Sequence, residues 1–223
     1  MQSNTFKTFS FAIVMCLVCG FLLTLTAVGL KERQEANQLI DKQKNILRAL
    51  SLLDETKKVS GKEVESLYKD NVKALFVNSN GELEKQASNK NFPLFLVEKK
   101  GKVTSYAIPF EAYGLWSWIK GYIGMEGDGE TICGFTVYSH AETPGLGGEC
   151  EKPWFKNQFK NQKITNQKGD FVSITVVKGK ARPDNKNEVD GMSGATITGK
   201  GIEKYLKEDL KKYESFAKRL RNG

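Results

Sequence analysis

A run of small and hydroxyl-bearing residues near the carboxyl end, DGMSGATIT at positions 190–198, has the composition of an anion-binding loop. Its glycines let a bulky ligand approach the backbone, and free amide groups at the start of a helix favour a phosphate. Thr196 and Thr198 add two hydroxyl groups, and Asp190 adds a carboxylate. On spacing alone, the run is also explained as a tight turn followed by a helix cap, so both interpretations stay open.

A glycine-rich stretch, ETPGLGGE at positions 142–149, could lie flat against a planar ring. Pro144 fixes one backbone dihedral, whereas the three glycines permit shapes that other residues resist. The alternative is a simple connection between two elements. A third candidate is YGLWSW at positions 113–118, whose aromatic side chains could flank such a ring, although core packing is their commoner use.

The sequence shows no set of residues suited to hydrolysis or to binding a metal. His140 is the only histidine, which excludes a histidine-based triad and a multi-histidine metal site, and a lone histidine beside a loop is more often exposed or capping. Glu142, Glu149 and Asp190 could orient a cofactor, but no two of them stand out as an acid and a base. We therefore expect no catalytic and no metal-binding residues.

The four cysteines form two groups. Cys16 and Cys19 lie in the apolar amino-terminal segment, where small buried hydrophobic residues are the favoured interpretation. Cys133 and Cys150 could form a disulfide if the domain is exported, and the sequence leaves this open.

The 223-residue chain carries a formal net charge of +8 and has a pI near 9.2. Basic and acidic residues are interleaved along most of the chain, and no nucleic-acid-binding motif accompanies them. We expect no nucleic-acid partner. The favoured interpretation is a solvated helix face, or a patch that faces anionic lipid or an acidic partner protein.

The amino-terminal segment predicts a single membrane-spanning helix. No charged residue occurs from Thr8 to Leu30, and at about 1.5 Å per residue this length crosses a hydrocarbon core of about 30 Å. Because the apolar run is longer than that of a usual signal peptide, we expect a retained anchor over residues 1–30. More basic residues follow the run than precede it, so a simple positive-inside count places the large domain in the cytoplasm. This rule is weaker for long translocated domains, so composition alone leaves the side of the membrane open.

The rest of the chain predicts a helical stalk over residues 31–72 and an α+β domain over residues 73–223. The stalk is expected to be helical to Leu53 and helical again from Ser60. Five strand-like runs separated by turn residues then predict an antiparallel meander. These runs are KALFVN, PLFLVE, VTSYAIPF, LWSWIKGYIGM and TICGFTVYSHA.

The carboxyl-terminal part predicts helices that flank this sheet. A short aromatic helix is expected at positions 150–159 and a further strand at positions 171–179. Apolar residues at three- and four-residue spacing then predict an amphipathic helix from about Gly199 to Leu220. Its apolar side is expected to pack on the sheet.

The chain resembles the NqrC family, which supplies one subunit of the sodium-translocating NADH:quinone reductases and has an FMN-binding domain. The resemblance lies in the order of five features: the amino-terminal span, AYGLWSW, ETPGLGGE, a strand ending in VVKG, and DGMSGATIT. The resemblance covers nearly the whole chain. DGMSGATIT also matches the sequence read by bacterial flavin transferases, which use FAD to attach FMN to a threonine as a phosphoester. The related RnfG family of the ferredoxin:NAD oxidoreductase complex shares SGAT and TPGLG, whereas YGLW, GGE and KPWF favour the sodium-translocating family.

The resemblance implies an FMN attached covalently to Thr196, with Thr198 as the nearest alternative. It also implies the residues that the transferase recognises or that lie close to the flavin and its phosphate chain. These are Asp190, Ser193, Gly194, Ala195, Glu142, Thr143, Gly145, Leu146, Gly147, Lys178, Leu115 and Trp116.

The resemblance further implies an electron-transfer subunit of the bacterial inner membrane that is not catalytically complete alone. Its expected partners are membrane lipid and the other membrane subunits of the complex, including an iron-sulfur-bearing pair and a subunit with a second covalent FMN. It places the soluble domain in the periplasm, opposite to the charge count, and we follow the resemblance. The alternatives are the RnfG role and a membrane-anchored binding module without a redox role, in which both glycine loops are only turns.

Overall fold

The chain begins with one long helix. The structure is a computed structural model that describes residues 2–222, with side chains from residue 5 onward. The chain divides into two compact units, Met1–Ile40 and Asp41–Gly223. Helix α1 (Gln2–Ala49) makes up the first unit, and its last residues belong to the second. Within the described residues, α1 is the one helix long and apolar enough to cross a membrane, with a mean hydropathy of 2.6 over its most apolar window. By length and composition, this helix fits the predicted anchor.

A short second helix follows a bend after α1. Helix α1 ends at Ala49, earlier than the predicted Leu53, and α2 (Gly61–Asn71) begins after Ser60 as predicted. Glu63 donates its amide to the Ser60 hydroxyl at 3.3 Å, and the Glu63 carboxylate accepts the Ser60 amide at 2.8 Å. This reciprocal capping satisfies two amide donors and fixes where α2 starts. The division into an anchor, a stalk and a domain stays a prediction.

The centre of the second unit is a six-stranded antiparallel sheet, which confirms the α+β class and the predicted meander. The spatial order is β2-β1-β3-β4-β5-β6, so successive strands are mostly neighbours. The short β2 is the one strand of this sheet that the sequence pattern did not predict. The strands are β1 (Lys73–Asn78), β2 (Leu83–Glu84), β3 (Asn91–Lys99), β4 (Lys102–Tyr113), β5 (Trp118–Glu126) and β6 (Ile132–Ser139).

Smaller elements cover the sheet after β6. The predicted aromatic helix is α3 (Pro153–Lys156), with 3-10 turns at Gly147–Glu151 and Asn157–Phe159 on either side. The final helix is divided into α4 (Thr196–Lys212) and α5 (Glu214–Asn222). Alternate residues of β4 pack against one side of α4 and form the main core with it. From β4 these are Tyr106, Ile108 and Phe110, and from α4 they are Ile202, Leu206 and Leu210.

Two further predicted elements differ from the structure. The strand expected at 171–179 is reduced to β7 (Thr175–Val176), which pairs in parallel with β8 (Glu188–Val189). Ser173 has a φ of 70°, and this left-handed residue interrupts the extended backbone just before β7. Helix α4 starts at Thr196 rather than Gly199, so the hydroxyl-bearing run extends into its first turn.

Two cysteines of the domain are buried free thiols. Cys133 and Cys150 are separate free thiols, so the disulfide that the sequence left open is absent from the described structure. Burial in the domain raises the pKa of each thiol to about 12. Cys133 instead donates to the carbonyl of Ala49 at 3.3 Å.

The end of α1 lies directly on two paired glycines of the sheet. Gly124 of β5 and Gly134 of β6 are opposite each other. A Cβ atom at these positions would lie 1.9 and 2.4 Å from the carbonyl oxygen of Ala49. The Ser51 hydroxyl also donates to the Cys133 carbonyl at 2.7 Å. The absence of side chains here therefore lets the helix end reach the sheet backbone.

Gly124→Ala is expected to lower the free energy of unfolding of the second unit by about 3 kcal/mol, because the new methyl group must displace the backbone at Ala49. Chemical unfolding of the full chain in detergent, followed by tryptophan fluorescence, measures the loss. Gly169→Ala is the control, since only the strain of its φ of 82° is added and no atom lies within 4 Å. That strain costs about 1 kcal/mol. An equal loss in both variants would contradict the close contact.

Candidate functional site

A buried carboxylate joins two of the loops predicted from the sequence to the start of α4. Glu142 Oε1 accepts the amides of Trp116 and Ser117 at 2.8 and 3.0 Å. Its Oε2 accepts the Leu115 amide at 3.2 Å and the Thr198 hydroxyl at 2.7 Å. One side chain therefore fixes the YGLWSW loop, its own ETPGLGGE loop and the first turn of α4 relative to one another.

The hydrogen bonds keep this carboxylate ionised although Glu142 is only 4% exposed. Burial raises its pKa, but the bonds from the Trp116 amide, the Thr198 hydroxyl and the other two amides more than offset this effect. The net result is a pKa below the ordinary value. Four donors around one anion make the arrangement rigid, because losing any of them would leave buried charge less well solvated.

Two glycines make room for the Glu142 carboxylate. A Cβ atom on Gly114 would lie 2.7 Å from its Oε1. A Cβ atom on Gly147 would lie 2.4 Å from its Oε2 and 2.8 Å from the Thr198 hydroxyl. These distances are shorter than van der Waals contact, so both positions require glycine for close approach.

The ETPGLGGE loop turns back on itself and meets the SGAT loop. The Thr143 carbonyl accepts the amides of Leu146 and Gly148 at 3.1 and 3.0 Å, and Gly145, which precedes Leu146, has a φ of 76°. Leu146 then projects from the loop and remains 44% exposed. Its Cδ2 would lie 2.7 Å from a Cβ atom on Gly194, so the two loops touch.

The two candidate threonines have opposite environments. Thr196 is the first residue of α4 and is exposed, whereas Thr198 is 1% exposed and uses its hydroxyl to hold Glu142. Ala195 occupies the cap position of α4, and no side chain among the described residues caps this end. The exposed hydroxyl thus lies at a helix start whose amide groups favour an anion.

A cavity of about 290 Å³ opens beside Thr196. Its walls combine the end of β7, the turn at 177–179 and the SGAT loop, and they include Lys178, Gly191, Ser193, Gly194, Ala195 and Lys200. Both lysines are exposed at its edge. The cavity therefore brings an exposed hydroxyl, a helix start and basic side chains together, which is the chemistry that a phosphate requires.

Asp190 supports this region without lining the cavity. Its carboxylate accepts Lys180 Nζ at 2.6 Å and the Ala181 amide at 2.8 Å, and its own amide donates to Gln158. The bond from Lys180 holds the pKa of Asp190 below its ordinary value. Asp190 thus fixes the turn that carries Lys178.

Exposed apolar side chains border the site on the YGLWSW loop. Leu115 and Trp116 are 45% and 67% exposed, although their amides are held by Glu142. Trp118 instead packs edge-on against Tyr113 and Tyr205, with ring centroids 5.2 and 5.6 Å away. The first two side chains are therefore free to meet a planar ligand.

A larger cleft of about 720 Å³ lies elsewhere, along the segments 163–169 and 182–187. None of the predicted site residues lines it. Its main charges are already paired, since Lys163 contacts Glu130 and Arg182 contacts Glu188. The smaller cavity beside Thr196 is the better candidate because the chemistry converges there.

The sequence interpretation missed the role of His140. Its side chain is 14% exposed, and its Nδ1 accepts the Glu142 amide at 3.1 Å. The spacing of two residues between them was the available signal, but the sequence does not show which way the ring turns. Glu142 was predicted close to the flavin and Thr198 was the alternative attachment point, and the structure shows these two side chains bonded to each other.

Comparison with known proteins agrees with this geometry. Residues 114–211 match the FMN-binding domain family. The chain is 32% identical to the NqrC protein of the Na(+)-translocating NADH-quinone reductase of Pseudomonas aeruginosa, covering 100% of this chain and 98% of that protein. It is 30% identical to the corresponding protein of Yersinia pestis, covering 97% and 93%.

Solved structures show the same fold. A crystal structure of the NqrC protein of the Na(+)-translocating NADH-quinone reductase from Parabacteroides distasonis superimposes with a TM-score of 0.73 at 35% identity, covering 84% of this chain and 96% of that one. The crystal structure of Shewanella oneidensis NqrC gives 0.71 at 26% identity, covering 86% and 100%. The family match includes all three predicted loops from Gly114 onward.

Glu142→Gln is expected to lower the free energy of unfolding by about 2 to 3 kcal/mol at neutral pH, because the amide nitrogen would face other donors and the charge would be lost. Glu149→Gln is the control. That carboxylate accepts a bond from Trp154 Nε1 at 2.7 Å that glutamine can also accept, so a change of about 0.5 kcal/mol or less is expected.

The pH dependence of this loss follows from the lowered pKa of Glu142. The carboxylate stabilises the fold above the ordinary glutamate pKa of about 4.3, and this contribution disappears as the pH falls through the lowered value. The difference between wild type and Glu142→Gln should therefore shrink in acid. A difference that stays constant down to acid unfolding would show that the ionised carboxylate is not what stabilises the site.

Proposed function

Because the chain belongs to the NqrC family of the Na(+)-translocating NADH-quinone reductases, we propose that it is a membrane-anchored electron-transfer subunit that carries FMN as a phosphoester on Thr196. The family relationship makes it a flavoprotein subunit of an oxidoreductase complex. The covalent link and its position are the further steps of the proposal. The observation that carries them is the exposed Thr196 hydroxyl at the uncapped start of α4.

The residues around Thr196 fit the phosphate end of FMN. The start of α4 offers amide groups, Lys178 and Lys200 offer positive charge, and the small residues of the SGAT loop leave the backbone open. When bound, the flavin supplies the ability to accept and donate electrons, and the protein holds and tunes it. A covalent link would prevent loss of the cofactor from an exported domain.

Of the two threonines, the structure favours Thr196 for attachment. The Thr198 hydroxyl already donates to Glu142 and is buried, so modifying it would remove one of the four donors from that carboxylate. Thr196 makes no comparable bond among the described residues and borders the cavity. A transferase can thus reach its hydroxyl without disturbing the site.

The attachment reaction balances with FAD as the donor. The Thr196 oxygen would form a bond to the phosphorus on the flavin side of the FAD pyrophosphate. The bond from that phosphorus to the bridging oxygen would break, AMP would leave, and the hydroxyl proton would pass to a base of the transferase. No electron is gained or lost in this step.

The exposed apolar side chains would receive the flavin ring. Leu115 and Trp116 on one loop and Leu146 on another present exposed apolar surface. Their loops are fixed by Glu142 and by the contact of Leu146 with Gly194, which lines the cavity. Aromatic and aliphatic faces suit a planar ring system. Thr143 and Gly145 would contribute by shaping the loop that carries Leu146.

Thr196→Ala should abolish FMN attachment when the full chain is produced together with a flavin transferase. Fluorescence retained after denaturing electrophoresis and the intact mass, which should increase by one FMN less one water in wild type, measure the attachment. Thr198→Val is the matched control and should still carry FMN, though with lower stability because Glu142 loses a donor. Retained FMN in Thr196→Ala would contradict the assignment.

The same proposal extends to location and partners. We place the soluble unit in the periplasm and expect contacts with the other membrane subunits of the complex, including an iron-sulfur-bearing pair that supplies electrons and a second flavin subunit that accepts them. A single membrane helix offers no ion pathway of its own, so sodium would cross through those partners.

Lys168→Cys tests the orientation, because Lys168 is exposed and the native Cys133 and Cys150 are buried. A membrane-impermeant thiol reagent should label this variant in cells with a permeabilised outer membrane but an intact inner membrane. Unsubstituted protein provides the background from the remaining cysteines. Labelling only after the inner membrane is broken would place the domain in the cytoplasm, as the charge count predicted.

A further inference from the structure

The only histidine of the chain is bonded on both sides of its ring. His140 Nδ1 accepts the backbone amide of Glu142 at 3.1 Å. Its Nε2 lies 3.3 Å from Glu151 Oε2. An amide can only donate, so Nδ1 must be free of a proton, and a carboxylate favours a proton on Nε2. Donor and acceptor types thus assign one neutral tautomer, with the proton on Nε2.

Packing holds the ring in this orientation. A Cβ atom on Gly148 would lie 3.4 Å from His140 Cε1 and 3.1 Å from the Thr143 carbonyl, so the imidazole rests against the glycine backbone of the ETPGLGGE loop. The bond to Glu142 spans only two residues, and it sets the direction in which the chain enters that loop. The side chain of the same residue then binds the other two segments.

Adding a proton would break this arrangement at one point. The imidazolium carries hydrogen on both nitrogens, so Nδ1 would turn a donor toward the donating Glu142 amide. That amide belongs to a residue that is only 4% exposed, and water cannot easily replace the lost acceptor.

The charged groups near the ring have opposite effects on a protonated imidazole. Glu151 attracts the imidazolium, and the bond from Lys152 at 3.0 Å keeps the pKa of Glu151 below its ordinary value. The positive charge of Lys152 weakens that attraction. Glu149 is engaged with Trp154, and the Glu142 carboxylate is held by its four donors. The Glu142 amide is therefore the group that directly excludes a proton from Nδ1.

We propose that His140, in its neutral form with the proton on Nε2, is a positioning residue for FMN attachment: it holds the Glu142 backbone and thereby keeps the three loops around Thr196 in the shape that a flavin transferase modifies. This role rests on the proposed function of Thr196. His140 touches neither the flavin nor the transferred phosphorus.

The test compares the rates of FMN incorporation into full-length wild type, His140→Asn and His140→Leu under the same conditions, using FAD and one flavin transferase. His140→Asn places an amide oxygen near the position of Nδ1, so it keeps an acceptor for the Glu142 amide. His140→Leu removes that acceptor.

Wild type and His140→Asn are expected to incorporate FMN at similar rates. His140→Leu should be about tenfold slower, the effect of losing one buried hydrogen bond. A His140→Leu protein modified as fast as His140→Asn, or a His140→Asn protein as slow as His140→Leu, would overturn the proposal.

A second readout needs no flavin. Because the chain has a single histidine, a tag without histidine and ¹⁵N-labelled imidazole give one pair of ring signals in NMR spectra. At neutral pH, Nδ1 should give the signal of a bare nitrogen and Nε2 that of a protonated one, and the opposite tautomer would overturn the proposal. If no variant takes up FMN while the tautomer is as expected, the Thr196 function fails and the geometric part of the His140 inference stands.

Discussion

A negative charge inside a protein persists only where donors replace the water it has lost, and in this domain the charge is that of Glu142. Its carboxylate is satisfied by three consecutive loop amides and by the Thr198 hydroxyl. These donors can converge only if the YGLWSW loop, the ETPGLGGE loop and the first turn of α4 come together. The need to solvate one carboxylate therefore determines the shape of the whole site.

Several features that otherwise look unrelated follow from this constraint. Gly114 and Gly147 lack side chains because the carboxylate occupies the space where a Cβ atom would be. Thr198 is unavailable for chemistry because it serves as a donor, which leaves Thr196, two residues earlier and exposed, at the start of α4. The sheet and α4 contribute by holding the ends of these loops in a rigid core, where Leu206 and its neighbours pack on β4. The site is thus stiff before any cofactor is added.

The parts of this arrangement that depend on local sequence were predictable. Alternation and turn residues indicated the meander, and the capping pair of Ser60 and Glu63 indicated the start of α2. The partners of Glu142 were not predictable from pattern, because Thr198 is 56 residues away in the chain and the donating amides carry no side-chain signal. The strand expected at 171–179 failed for a similar reason, since Ser173 is left-handed and its amide donates to the carbonyl of Ile164, a partner that its residue type does not indicate.

If Glu142 fixes a preformed site on which FMN is attached to Thr196, a crystal structure of the full-length protein after flavin transfer should show both features together. We expect continuous density from Thr196 Oγ to the FMN phosphorus, an isoalloxazine ring against Trp116 and Leu146, and the Glu142 carboxylate still bonded to its four donors. Phosphorus on any other residue, or a Glu142 side chain that has left those donors to contact the flavin, would contradict it.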